Sequence, residues 1–312
     1  MIGAVDIGGT KIAAGMVDEE GRILCRLDSP TEPERGFEHG LSRIAAMLRE
    51  ASRCAGTPIS GIGIGCTGPV DPFTGIVGKV DFLPGWEGGN LVDGLRREFP
   101  VPVAVENDAD AAALGEAGWG SGRGKQHFIY VTISTGIGGG IILDGKLYRG
   151  VDGSHPEIGH HVIDPAGPLC FCGAHGCWER LASGPAMAEW FRSQLRPDDP
   201  SPAALDARDI CDRAVRGDEL CLKAVEREAF YLGLGLANLV TLFTPDAIAL
   251  GGGVMKSAHL FLESARGVIR QNCGLVPFEK TELLLASLGP DTALAGAARA
   301  WSHRFSQDKS WS

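Results

Sequence analysis

Three cysteines, Cys170, Cys172 and Cys177, crowd one short stretch together with His175, and His160 lies just upstream. Thiolate sulfur and imidazole nitrogen are the ligand types of a closed tetrahedral zinc site, and His160 with the three cysteines makes a Cys3His set. Gly173 and Gly176 allow a tight knuckle around an ion. The spacing is Cys-x-Cys, not the usual Cys-x-x-Cys. It therefore leaves His175 and His161 as rival ligands, and three buried thiols near a core histidine as the plain alternative. A full set of four protein ligands leaves no open position, so such a site is structural rather than catalytic. Glu157 and Glu179 bracket the knuckle, and a metal there would fix the backbone that carries both carboxylates.

The second kind of chemistry is phosphate binding. Asp6-Ile7-Gly8-Gly9-Thr10-Lys11 closes a short apolar run. Glycines at a strand end let backbone N–H groups approach a phosphate, Thr10 adds a hydroxyl, and Lys11 adds a compact charge. Asp6 could hold a water on Mg²⁺. A plain hairpin turn explains that stretch equally well. Two more glycine turns, Ser134–Gly140 (with Thr135 and Gly136) and Gly251–Gly253 (with Gly252 and Gly253), also follow strand-like runs. Three such turns suit the walls of one cleft, two around phosphates and one against a nucleoside. No G-x-x-x-x-G-K-[ST] loop is present, and no G-x-G-x-x-G opens a βαβ unit, which disfavours P-loop and dinucleotide-binding enzymes. Glu106-Asn107-Asp108 stands where a strand gives way to an alanine-rich helix. A residue there can cap the helix and face a ligand at once.

These stretches need elements to hold them. Strands are expected over 2–7, 12–17, 59–66, 101–105, 128–133, 141–143, 247–250 and 283–286. Helices are expected over 37–55, 91–99, 108–117, 183–195, 206–216, 219–243, 257–271 and from 291 to about 305. The glycine-rich segment 118–125 reads as a hinge, and the tail after Ser306 as disordered. Strand, glycine turn, strand occurs at the start of each half, which suggests a duplicated nucleotide-binding core.

The 312 residues, 44% apolar and 22% charged, suit one large or two ordinary globular domains. A net charge of −10 gives no footprint for nucleic acid or an anionic membrane. The start has no signal-peptide pattern, and the apolar stretch near 230–243 is too short to span a bilayer, so a cytoplasmic protein is expected. Nine cysteines, an odd number, argue against a disulfide framework. The six outside the knuckle read as small apolar residues.

With these stretches in place, the sequence resembles the ROK group of sugar kinases and repressors, within the actin-like ATPase fold. The matching stretches are Asp6–Lys11, Gly65–Asp71, Glu106–Asp108, Ser134–Gly140, Glu157–His160, Cys170–Glu179 and Gly251–Gly253, with Ala293–Ala298 similar to the closing helix. The resemblance implies two actin-like (ribonuclease H-like) α/β domains flanking a cleft. Residues 1–117 plus 291–312 would form one, and 118–290 the other, which carries the structural zinc. It implies Asp108 as the base that takes a proton from a sugar hydroxyl. Gly68, Asn107, Glu157, His160 and Glu179 would bind the sugar, with His160 also binding zinc through its other nitrogen. Gly8, Gly9, Thr10, Lys11, Thr135 and Gly136 would line the phosphates of ATP and Mg²⁺, with Asp6 nearby and Gly252 and Gly253 against the nucleoside. A homodimer or tetramer is implied. Glucose is the favoured acceptor, with N-acetylhexosamines or fructose as alternatives. A repressor would carry a DNA-binding domain ahead of Asp6, and none is expected here. His155-Pro156 before Glu157 and Asp110 in place of an asparagine depart from the common pattern beside the sugar pocket.

Overall fold

The structure, a computed structural model, describes residues 1–196 and 205–305; the expected disordered tail lies outside them. The elements in order are β1 (Ile2–Ile7), β2 (Lys11–Val17), β3 (Ile23–Pro30), α1 (Phe37–Ala55), β4 (Gly61–Cys66), α2 (Leu91–Glu98), β5 (Val103–Asn107) and α3 (Asp108–Trp119). They continue with β6 (Phe128–Ile133), β7 (Ile137–Leu143), β8 (Lys146–Leu147), α4 (Trp178–Ala182), α5 (Gly184–Gln194), α6 (Ala207–Val215), α7 (Glu219–Phe243), β9 (Ala247–Gly251), α8 (Leu262–Asn272), β10 (Glu282–Leu285) and α9 (Thr292–Phe305). Two mixed five-stranded sheets result, ordered β3-β2-β1-β4-β5 and β10-β9-β6-β7-β8.

The chain divides into two compact units. One comprises Met1–Tyr130, Gly140–Pro156 and the described residues from Ala286 onward; the other comprises Val131–Gly139 and the described residues of Glu157–Leu285. In the first unit β1, β2 and β3 run antiparallel, while β1, β4 and β5 run parallel. Side chains alternate across the sheet. Val5, Ile7, Ile62 and Ile64 pack under α1 and the buried Trp86, whereas Ala4, Ala13 and Val17 face Leu294, Ala297 and Ala298 of α9. That second face is built from small residues because α9 lies almost on the backbone: a Cβ at Gly63 would collide with the Ala297 carbonyl. The capping pattern agrees with the local sequence. Gly56, just past α1, is left-handed, and Asn107 caps α3.

Three expectations change. β5 begins at Val103 and includes Glu106 and Asn107. The glycine run after Thr135 is strand, not turn. β7 starts at Ile137, and only Ser134–Gly136 turns, with the Ser134 N–H donating to the Gly136 carbonyl at 2.8 Å. A Cβ at Gly140 would sit 3.0 Å from the Ala109 carbonyl, so β7 needs glycine where α3 crosses it. Finally, the segment expected as a hinge is a pinned turn: the fully buried Glu116 accepts from the Ser121 N–H and hydroxyl, each at 2.9 Å, and from the Leu288 N–H at 3.0 Å. Among the six outlying cysteines, Cys54 is exposed and the rest are buried.

Candidate active site

In the first unit the parallel strands β1, β4 and β5 all end at one edge, a common place for ligand groups in α/β sheets. Asp6, Gly65 and Glu106 stand in register across them. Thr67, just past β4, donates its N–H to the Ile7 carbonyl at 2.8 Å. Gly68 follows in a left-handed conformation, φ 79°, against Val80.

Asn107 spends its side-chain oxygen as a cap, accepting from the N–H groups of Ala109 (2.8 Å) and Asp110 (3.4 Å). Its amide NH₂ is left to donate. Asp108 accepts from the Ala109 N–H at 2.8 Å. Burial raises its carboxyl above the ordinary range, opposed by that N–H, by the charge of His155 and by the Thr67 hydroxyl. Burial and the neighbouring Asp108 charge push Asp6 up to about 7, against Lys11 and Arg26. Two carboxylates thus share one low-dielectric corner, where each makes it harder to ionise the other.

The turn after β1 closes when the Gly8 N–H donates to the Lys11 carbonyl at 2.9 Å. Thr31 braces it from behind, its hydroxyl donating to the Gly8 carbonyl at 2.6 Å. Gly8 therefore spends its N–H inside the turn, and Gly9 and Thr10 are the tip. Phe82 lies over Gly9. Lys11 pairs with Asp28 at 3.2 Å, both half-exposed.

Sequence reasoning missed Arg149. It forms a two-nitrogen ion pair with Glu106, whose side chain is 1% exposed. Burial drives the Glu106 carboxyl up, and the guanidinium pulls it back. No local spacing marks Arg149; it follows β8 as an ordinary turn residue. His155 pairs through Nδ1 with Asp110 Oδ2 at 2.9 Å. Both had been noted as departures, but the contact between them was not legible.

In the second unit, Trp178 anchors the knuckle. It is fully buried, and its Nε1–H donates to the Tyr231 carbonyl on α7 at 3.0 Å. The next residue, Glu179, accepts from the Ile137 N–H at 2.8 Å and so stands over the Ser134–Gly136 turn. Glu157 is exposed and begins the helical turn that carries His160.

His160, Cys170, Cys172 and Cys177 place one ligand atom each within 4.8 Å of all the others. His160 Nδ1 lies 3.5 Å from the Cys170 sulfur, and the Cys172 and Cys177 sulfurs are 3.4 Å apart. With zinc–sulfur bonds of about 2.3 Å a tetrahedral site needs sulfurs about 3.8 Å apart, so the set fits zinc with little adjustment. The rival histidines fall outside this set. His175 Nδ1 faces the Gly167 carbonyl at 3.1 Å; His161 Nδ1 faces the Ile158 carbonyl at 2.5 Å, and its ring packs on Trp178. Burial and the adjacent thiols push Cys177 up to about 12, whereas the Ala174 N–H lowers Cys172. A dication here would favour the thiolate of the buried Cys177.

The same unit holds a cavity of about 340 Å³. Ser134, Thr135 and Gly253 line it, with Asp206, Arg208 and Lys256 around them. Two of the three expected glycine turns therefore meet at one cavity. Gly252, at φ 91°, lies directly against Ile133. Sequence reasoning did not foresee Asp206, Arg208 or Lys256; Asp206 caps α6 in a capping box with Asp209, and that local role was its only signal.

The ROK family model matches residues 2–304. The chain belongs to the ROK family. A ROK family glucokinase from Streptomyces griseus, solved in complex with glucose and AMPPNP, superposes with a TM-score of 0.80 at 38% identity, covering 95% of this chain and 97% of that one. The glucokinase of Streptomyces coelicolor is 37% identical over 310 residues, 94% of this chain and 95% of its own length. The family also holds regulators: the xylose repressor of Bacillus spizizenii is 33% identical over 94% of this chain and 74% of its own. Among the described residues, no helix is long and apolar enough to cross a membrane.

Proposed function

We propose that this ROK protein is an ATP-dependent hexose kinase whose preferred acceptor is glucose. The observation that carries the reading is Asp108: a carboxylate half-buried at the end of three parallel strands, on a capped helix start, in a chain that aligns along nearly its whole length with a glucokinase holding glucose and a nucleotide analogue. Phosphoryl transfer asks a protein for positioning and charge neutralisation more than for covalent chemistry. Asp108 takes the proton of the attacking sugar hydroxyl as its oxygen bonds to the γ-phosphorus, and ADP leaves. Gly68, the Asn107 NH₂, Glu157, His160 Nε2 and Glu179 hold the other hydroxyls. Gly9, Thr10, Lys11, Thr135 and Gly136 line the phosphates, and the cavity beside Gly252 and Gly253 takes the nucleoside. Gly8 holds the first phosphate turn in shape. Mg²⁺, on a water held by Asp6, would neutralise phosphate charge. Zinc on His160 Nδ1, Cys170, Cys172 and Cys177 would hold the knuckle. The working lobes in this reading are residues 1–117 with 291–312, and residues 118–290, in a cytoplasmic homo-oligomer.

The test is ADP release from Mg-ATP across glucose, mannose, fructose, N-acetylglucosamine and N-acetylmannosamine. Turnover with glucose foremost is expected, and Asp108→Ala should lower kcat by about 10²–10⁴-fold with a native circular dichroism spectrum. A folded wild-type protein that releases no ADP with any of these sugars would overturn the reading in favour of sugar sensing, as in the repressor relatives.

A further inference from the structure

The base does not stand alone at its corner. Glu106 and Asp110 flank it in sequence, Asp6 approaches from β1 and the Cys66 thiol from β4. Four carboxyl groups in one buried corner would suppress each other's ionisation unless cations compensate. Two basic side chains come from one short strap. Arg149 grips Glu106 at the end of β5, and His155 grips Asp110 in the first turn of α3. Asp108 lies between these two anchors. Asp110 is 2% exposed and its Oδ1 is buried without a hydrogen-bond partner among the described residues, while its Oδ2 lies 2.9 Å from His155 Nδ1, an ion-pair contact rather than an aligned hydrogen bond. Arg304 adds charge near Glu106, and His303 beside Arg149 is driven down to about 4 and stays neutral.

We propose that His155 is a positioning residue for the phosphoryl transfer: anchored on Asp110, its imidazole sets a positive charge beside the base and fixes the turn on which the base stands. This rests on the kinase reading and on Asp108 as its base. His155 touches no reacting atom in this account; it acts through Asp110 and through its field on Asp108, which lowers that carboxyl. Asp110 and His155 stand far apart in sequence, and the structure joins them.

The experiment is kcat and KM against pH for wild type, Asp108→Ala, His155→Gln and His155→Lys. Without the positive charge, His155→Gln should lose about tenfold in kcat at neutral pH. The acid limb of its profile should move up by about half a pH unit or more, since a base that is harder to ionise needs a higher pH. KM for sugar and ATP should stay within about twofold. His155→Lys should bring the limb back toward wild type. An active wild type with a His155→Gln limb that does not move overturns this inference alone, even if kcat falls. A silent wild type sinks the kinase reading and this inference with it. Should His155→Gln fail to fold, His155→Asn carries the same test: its limb should move up with a fall in kcat, and an unmoved limb refutes the role.

Discussion

The knuckle and the β5–α3 corner are built in opposite ways. The knuckle gathers its four candidate ligands from His160 to Cys177, one continuous run of chain, and ties them with local bonds such as the Cys170 N–H to the Ala174 carbonyl at 2.8 Å. The corner gathers Asp6, Thr67, Asp108, Arg149 and His155 from segments far apart in sequence. A local site depends on its ion and on a few turn glycines. A long-range corner depends on the sheet that brings its parts together, and its energy lies in paired buried charges. The two should therefore fail differently.

Removing a ligand from the knuckle should have the larger effect on stability. Structural zinc in small sites contributes on the order of 10 kcal/mol of apparent binding free energy, so Cys177→Ala should abolish stoichiometric zinc and lower the Tm sharply. A chelator should do the same to wild type. Activity should fall with it, because Glu179 follows the knuckle directly and Glu157 leads into it. Metal analysis and thermal unfolding decide: purified wild type without zinc and with a chelator-insensitive Tm would mean that the four groups are plain thiols and a histidine.

The corner should break through its ion pairs. Arg149→Met leaves Glu106 buried beside Asp110 without its paired guanidinium, and removing one partner of a buried pair typically costs about 3–5 kcal/mol. The sign of the pH dependence follows from burial, which already raises Glu106. In the variant it rises further, so the folded state holds its proton more tightly than the unfolded chain does. Stability is then best preserved at low pH and is lost as pH increases. Urea unfolding at pH 6 and pH 8 should show a larger deficit at the higher pH. An equal deficit at both would mean that Arg149 acts by packing alone.

The same contrast explains what was legible in the sequence. Cys170, Cys172, Cys177 and the Glu106-Asn107-Asp108 run announce themselves by residue type at short spacing, and the strands and helices around them follow hydrophobic period. Arg149 had no such signal, because an ion pair across the fold leaves no trace in local pattern. His155 and Asp110 were visible only as oddities. The glycines after Thr135 were misread as turn for a related reason. Gly140 is required by the approach of α3, a tertiary contact, and a glycine needed for close packing looks the same in sequence as one needed for a turn. Cys54, too, gave no local sign that it would be the exposed thiol of its group.

A buried carboxylate that belongs to neither region sharpens the comparison. Glu228 on α7 is 0% exposed, and neither of its oxygens has a hydrogen-bond partner among the described residues. Burial pushes it from 4.5 up to about 8, weakly opposed by Arg227. Unlike Glu106 it has no guanidinium in contact, and unlike Asp108 it faces no strand edge. It should be protonated at neutral pH and act only as a burden when it ionises. The folded state then holds a proton that the unfolded chain releases near 4.5. This part of the stability is full below that pH and declines, by roughly 1.4 kcal/mol per pH unit, until the folded group itself ionises near 8. Glu228→Gln keeps the shape and removes the proton. Its unfolding free energy should match wild type within about 1 kcal/mol at pH 5 and exceed it at pH 8. If the two proteins keep parallel pH profiles, Glu228 is ionised and compensated in the folded chain, and burial without a partner is not what sets its state.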